Sequence, residues 1–249
     1  MIKFDYETDA GIGVRANLGV IVLQADETVE PMMRQLFSLD GVALYHTRIP
    51  SATEITAESL QDMQQEIATA VSLLPGAVEF DAIGFACTSA SSVIGESVIE
   101  KLVQQYQPDA LVTNPATAVK AALRALGARR VALVAPYVPE VVEGICETLK
   151  RDGFEMATVG TFDQISDSIV ARIDERSIFD ATIRAGRTAE CDAVFVSCTN
   201  LRAANVIQDA ESALGVPVVS SNQALGWHML RLAKVTDAIQ GYGKLFSDH

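Results

Sequence analysis

The stretch DAIGFACTSASSVIG, Asp81 to Gly95, decides the fold, because it recurs as DAVFVSCTNLRAANVI, Asp192 to Ile207, with a cysteine at the same place. In each copy a short apolar run, Ala82 to Ala86 or Ala193 to Val196, leads into Cys-Thr. A run without polar alternation is the pattern of a strand buried on both faces of a parallel sheet. Each cysteine then falls at a strand end, just before the expected start of a helix. Open α/β sheets bind ligands beyond the carboxyl ends of their strands, so Cys87 and Cys198 occupy the places where chemistry is expected.

The same offset carries Val20–Leu23 onto Val131–Val134. An offset one residue longer carries Asp40-Gly41 onto Asp152-Gly153, and one three residues shorter carries Thr113-Asn114 onto Ser221-Asn222. Stretches repeated in one order imply two copies of one unit. The expected fold is α/β: two Rossmann-like lobes, each a parallel sheet flanked by helices, related by a pseudo-two-fold axis that sets the cysteines face to face. Residues 1–118 with 223–249 form the first lobe and residues 119–222 the second. A single doubly wound sheet with a recurring strand pattern is the plainer alternative.

Residues 1–16 read as an irregular lead-in. Helical spacing is expected over residues 31–37, 57–74 with Thr56 as cap, 91–106, 116–126 ended by Gly127, 139–151, 165–185 and 224–232, the last returning to the first lobe.

With 249 residues and 49% hydrophobic content the chain can bury two modest cores. No apolar run reaches the roughly 18 residues of a membrane span. The opening MIKFDYETDAGIGVRAN carries charges where a signal peptide has its apolar segment. The four cysteines read as thiols of a reducing compartment, so a cytoplasmic protein is expected. A net charge of −13 with 19 scattered Lys+Arg disfavours nucleic acid, and no membrane partner is expected. Homo-oligomer formation stays open. The histidines, His46, His228 and His249, show no ligand spacing, and no glycine-rich nucleotide fingerprint follows a strand, so neither metal nor cofactor is expected.

A cysteine before a helix N-terminus has its thiolate favoured by the dipole and the free N–H groups. Two such thiols on opposite faces of a cleft can remove a proton on one side and return one on the other. Buried packing is the ordinary fate of a free cysteine, and Cys146 and Cys191, which have no repeat partner, take that reading. Hydroxyl and amide groups cluster at both motifs: Thr88, Ser89, Ser91 and Ser92 in one, Thr199 and Asn200 in the other. They suit a carboxylate or enediolate, though small hydroxyl residues after a strand are also ordinary helix caps.

These motifs, with ALRALGARRVALVAPY, GVPVVSSNQA and GYGKLF, resemble the aspartate/glutamate racemase superfamily over nearly the whole chain. Within it the likeness is to the branch of maleate cis-trans isomerase and arylmalonate decarboxylase. The resemblance implies a cofactor-independent enzyme acting on a small carboxylate, with Cys87 and Cys198 catalytic and Thr88, Ser89, Tyr137 and the groups after Cys198 as carboxylate and oxyanion contacts. The decarboxylase has glycine in place of the first cysteine, so the presence of Cys87 favours an isomerase or racemase. A decarboxylase using Cys198 alone and a non-catalytic binding protein remain alternatives.

Two positions depart from the maleate isomerase pattern. Asp26 and Asp167 stand where that pattern has asparagines that hold substrate carboxylates. An ionised aspartate there would repel a dicarboxylate by about 1–4 kcal/mol at contact. A substrate bearing an amine or amidine beside its carboxylate would gain an ion pair instead, which resembles the amino-acid racemases, and a branch associated with ectoine utilisation suits such a zwitterion. The simpler reading makes Asp26 a helix cap and Asp167 a solvated face residue.

Overall fold

The computed structural model describes residues 1–52 and 55–249. The chain builds two four-stranded parallel sheets. The first holds β1 (Ala16–Leu23), β2 (Val42–Ile49), β3 (Ala82–Ala86) and β4 (Leu111–Thr113), in the order β2-β1-β3-β4. Its helices are α1 (Val29–Leu36), α2 (Ala57–Asp62), α3 (Gln64–Ser72), α4 (Thr88–Ile94), α5 (Glu96–Gln104) and α6 (Pro115–Ala125). The second sheet holds β5 (Arg130–Tyr137), β6 (Glu155–Gln164), β7 (Ala193–Val196) and β8 (Val218–Ser220), ordered β6-β5-β7-β8. Helices α7 (Pro139–Arg151), α8 (Asp167–Val170), α9 (Glu175–Thr188), α10 (Ile207–Leu214), α11 (Ser221–Leu232) and α12 (Lys244–Asp248) lie in this second half of the chain. One strand order used twice makes the two units a structural repeat and overturns the single-sheet alternative. No helix among the described residues is long and apolar enough to cross a membrane.

The central strands explain themselves. Every residue of β3 and of β7 is buried, as an unbroken apolar run between two helical layers requires. In each sheet the strand order reverses between the first and third strands of the unit, which opens the ligand crevice at their carboxyl ends. Asp26 and Cys87 emerge there in one lobe, Tyr137 and Cys198 in the other.

Helix α11 follows the second sheet but lies on the first. A side chain at Gly84 of β3 would place Cβ 2.7 Å from Met229 Sδ, and one at Gly226 would place it 2.1 Å from Leu36 Cδ2. A side chain at either position would therefore have to displace buried side chains packed against it. Gly226→Ala should destabilise the protein by about 1–3 kcal/mol through overpacking, read as a lowered midpoint of urea unfolding at unchanged slope.

Several helices differ from the expected spans. The segment 57–74 divides at Met63 into α2 and α3, while Thr56 does cap α2, in a capping box with Ser59. The segment 91–106 begins earlier, at Thr88, and divides at Gly95, whose φ of 92° lies in a region that favours glycine. The segment 165–185 divides because Asp174 accepts from Ser177 N at 2.7 Å and starts a new helix, α9. Helix α11 begins at Ser221, not Ala224, since Ser220 and Gln223 form a capping box that polar residues alone do not announce. The register of β4 on β3 and of β8 on β7 makes Asn114 equivalent to Ser220, two residues before the match expected from sequence; both residues cap their helices.

Candidate active site

Of the polar residues singled out in the sequence, nine meet at one cavity, and Ser91 and Ser92 do not line it. Asp26, Cys87, Thr88, Ser89, Tyr137, Asp167, Cys198, Thr199 and Asn200 line it, with Leu23, Ile55 and Leu60 as its apolar wall. The free space is about 10 Å³, the room of about one water. Two contacts between the halves cover the cavity. Ile55 N, in the loop after β2, donates to Ile165 O, in the loop after β6, at 3.2 Å. At the rim Arg172 of one half pairs with Glu27 of the other at 2.7 Å.

Cys87 ends β3 and is the N-cap of α4, where its Sγ accepts from Ala90 N at 3.4 Å. Cys198 is arranged differently. It holds a φ of 113°, in the left-handed half of the map that a non-glycine residue rarely enters. Its Sγ accepts from Asn200 N at 3.2 Å and lies 3.2 Å from the Tyr137 hydroxyl. The sequence expectation of a helix directly after each cysteine therefore holds only for Cys87. After Cys198 the chain turns, and α10 does not begin until Ile207. The Asn200 side chain anchors this turn. Its Oδ1 accepts from Glu27 N at 2.9 Å, and its Nδ2 donates to Asp167 O at 3.1 Å and Ala25 O at 3.4 Å. The bonds to Glu27 and Ala25 tie the turn to the first lobe, and the bond to Asp167 ties it to the loop after β6.

The electrostatics run opposite to the expected lowering of the thiol pKa. Burial, two backbone N–H groups notwithstanding, pushes the Cys87 thiol up to about 12, and the Asp167 and Asp26 carboxyls push in the same direction. Burial and Asp167 raise Cys198 well above its ordinary value. Both carboxyls are themselves raised, chiefly by burial. The lining residues include no lysine, arginine or histidine, so the charge that favours thiolates elsewhere is missing here. Among the described residues no group of three or more His, Cys, Asp or Glu side chains is placed to hold a metal ion.

Two groups in the cavity wall lack partners. Asp26 Oδ1 accepts from Thr28 N at 2.8 Å and Val29 N at 2.7 Å, capping α1, but Oδ2 is buried with no hydrogen-bond partner. The Thr199 hydroxyl lies within reach of both Ala86 O, at 3.3 Å, and the Asp26 carboxyl, and it favours the charged form of Asp26 when its one proton turns to the carboxyl. Ser89 Oγ is likewise buried without a partner. Thr88 Oγ1 is occupied, donating to Ser221 Oγ at 2.8 Å. Asp167 is 4% exposed, so it is no solvated face residue; its Oδ1 accepts from Tyr137 at 2.6 Å.

The family model described as arylmalonate decarboxylase matches residues 18–246. The chain belongs to that family. Similar relatives include the arylmalonate decarboxylase of Bordetella bronchiseptica, 36% identical over a match spanning 55% of this chain and 58% of the relative. The maleate isomerase of Nocardia farcinica is 29% identical across 94% of this chain and 96% of its own. Among solved structures, the Nocardia farcinica maleate cis-trans isomerase, in a cysteine-to-serine variant with a covalently bound succinylcysteine intermediate, superposes with a TM-score of 0.83. It is 26% identical and covers 94% of this chain and 99% of that one.

For this member of the arylmalonate decarboxylase family, sequence reasoning missed Ser221. Its Oγ accepts from Thr88 Oγ1 and from Cys198 N, at 3.0 Å, and so ties the two cysteine motifs together. The signal was present in GVPVVSSNQA, but nothing local distinguishes a bridging serine from a capping one. Ser91 and Ser92 turn back onto their own helix, donating to Cys87 O and Thr88 O. Cys146 and Cys191 are buried among apolar side chains away from the cavity.

Proposed function

We propose that this protein is an isomerase or racemase of a small carboxylate that needs no cofactor, with Cys87 and Cys198 as its two reacting thiols. The observation that carries the reading is one cavity faced by a thiol from each half of the repeat. In the racemase version one thiolate takes the α-proton and the other thiol returns a proton from the opposite face. In the cis-trans version Cys87 adds to the alkene carbon, the remaining single bond rotates, and elimination follows with Cys198 handling the proton. In this reading one lobe comprises residues 1–118 with 223–249 and carries Cys87, and the other comprises residues 119–222 and carries Cys198.

The cavity wall also selects among carboxylates. The unpartnered Ser89 hydroxyl suits one substrate carboxylate. The unpartnered oxygen of Asp26, in a cavity with no protein cation, suits a cationic or donor group on the same substrate. An amino or amidino carboxylate answers both requirements, and a dicarboxylate answers only one. The test is incubation of the protein in D2O with a panel of α-amino, amidino, hydroxy and dicarboxylic acids, followed by proton NMR and chiral chromatography. Loss of the α-proton signal with inversion is expected for a zwitterionic member of the panel. Carbon dioxide release from substituted malonates without any exchange or isomerisation would establish the decarboxylase instead.

A further inference from the structure

The two-thiol reading leaves a difficulty in the cavity itself. One thiol must be a thiolate for either version to start, yet neither is assisted by a cation, and the one helix start available serves Cys87. Cys198 is instead in line with a carboxyl group. The single proton of the Tyr137 hydroxyl is given to Asp167 Oδ1 at 2.6 Å. The Tyr137 oxygen is then an acceptor, and the Cys198 thiol 3.2 Å away is the donor it faces.

We infer that Asp167, reached through Tyr137, is the proton acceptor that turns Cys198 into a thiolate. The Sγ–H bond of Cys198 breaks as its proton passes to the Tyr137 oxygen, while the Tyr137 O–H bond breaks as that proton passes to Asp167 Oδ1. The products are a thiolate, an unchanged phenol and a carboxylic acid. The chain of Cys198, Tyr137 and Asp167 carries one negative charge before and after, so no ion has to enter or leave. Asn200 N, 3.2 Å from the sulfur, is placed to stabilise the thiolate, and Asn200 Nδ2 holds the Asp167 backbone at 3.1 Å. An asparagine in place of Asp167 has no basic oxygen and supports no such transfer.

The groups around Asp167 fit this role. Tyr137 comes from the end of β5, Cys198 from the end of β7, Cys87 from the end of β3 and Asp26 from the loop after β1. Arg172, one turn beyond Asp167, is exposed and committed to Glu27 and Ser168 O, so it does not neutralise the carboxyl. Burial raises the carboxyl above its ordinary value, which makes it a better proton acceptor, and it raises the Cys198 thiol as well. Tyr137 itself is pushed far up by burial and stays a neutral bridge.

The inference rests on the reading of Cys198 as a reacting thiol, but its test needs no substrate. Alkylation of Cys198 by iodoacetamide, a neutral probe, would be followed by peptide mass spectrometry from pH 5 to 11, at concentrations where the rate stays proportional to reagent. A thiol that shares its proton with a carboxyl titrates as a pair. The wild type should therefore show a first rise, a flat shoulder through neutral pH, and a second rise at the thiol's own ionisation. Asp167→Asn and Tyr137→Phe should each abolish the shoulder and slow Cys198 labelling at pH 7 by roughly tenfold or more, one pKa unit of lost thiolate or greater. A carboxylate that only repels predicts the opposite sign, faster labelling in Asp167→Asn. That result, or a wild-type profile in Tyr137→Phe, would overturn the relay. Failure to find a substrate would count against the proposed function and leave these profiles unaffected.

Discussion

Cys87→Ser and Cys198→Ser should each lower turnover by about 10²–10⁴-fold, the usual contribution of a positioned acid, base or nucleophile. Both residues are buried and serine is nearly isosteric, so far-UV circular dichroism and the unfolding midpoint should change little. The two losses should not multiply. When two groups act as a unit, removing either disables the same step, and the double variant should be about as slow as the worse single one. The pair also separates the classes of mechanism. A decarboxylase working through Cys198 alone would keep its rate in Cys87→Ser, because protonation of an enediolate needs one donor. Exchange of the α-proton that persists in one single variant while inversion is lost would mark two separate faces, since each thiol then still serves its own side.

Asp26→Asn should trade substrate selectivity for stability. Removing the negative charge should relieve a dicarboxylate and deprive an ammonium or amidinium group, each by about 1–4 kcal/mol at contact distance. In binding terms that is roughly 5- to 1,000-fold in each direction, measured as the ratio of inhibition constants for a dicarboxylate and an amino carboxylate. Stability should move the other way. The folded state holds the Asp26 carboxyl above its ordinary value because of burial. A carboxyl raised on folding binds more protons folded than unfolded, so stability falls as pH rises from the unfolded value near 3.9 through the folded one, and the deficit persists at neutrality. Asparagine still caps α1, because the same side-chain oxygen position accepts from Thr28 N and Val29 N. The variant should therefore melt higher at pH 7, by about 2–4 °C for each kcal/mol recovered in a chain of this size, and the gain should vanish below pH 4. A site that keeps a destabilising buried charge does so for function.

Much of the fold was legible in the residues. The repeated Cys-Thr motif, the unbroken apolar strands and the near-constant offset specify two like α/β units, because a parallel strand covered on both faces must be apolar throughout. The crevice followed from the same reading, since ligands meet such sheets at strand ends. Helix boundaries were less legible. Gly95, Asp174 and the Ser220–Gln223 box set them through single hydrogen bonds and one unusual dihedral, which hydrophobic periodicity does not register.

The sequence by itself determined which residues are present to react: two thiols, two aspartates, and hydroxyls beside them. Their chemical state was decided by tertiary structure alone. Helix position suggested lowered thiol pKa values, but the cavity is closed and without a cation, and desolvation outweighs two N–H groups. Asp167 reads from sequence as either solvated or substrate-facing; the fold buries it in the cavity wall, against Tyr137 at the end of β5 and through it against Cys198. Local sequence fixes hydrogen bonds within a turn, whereas burial and charge depend on everything that packs around a group, and that is known only once the chain has folded.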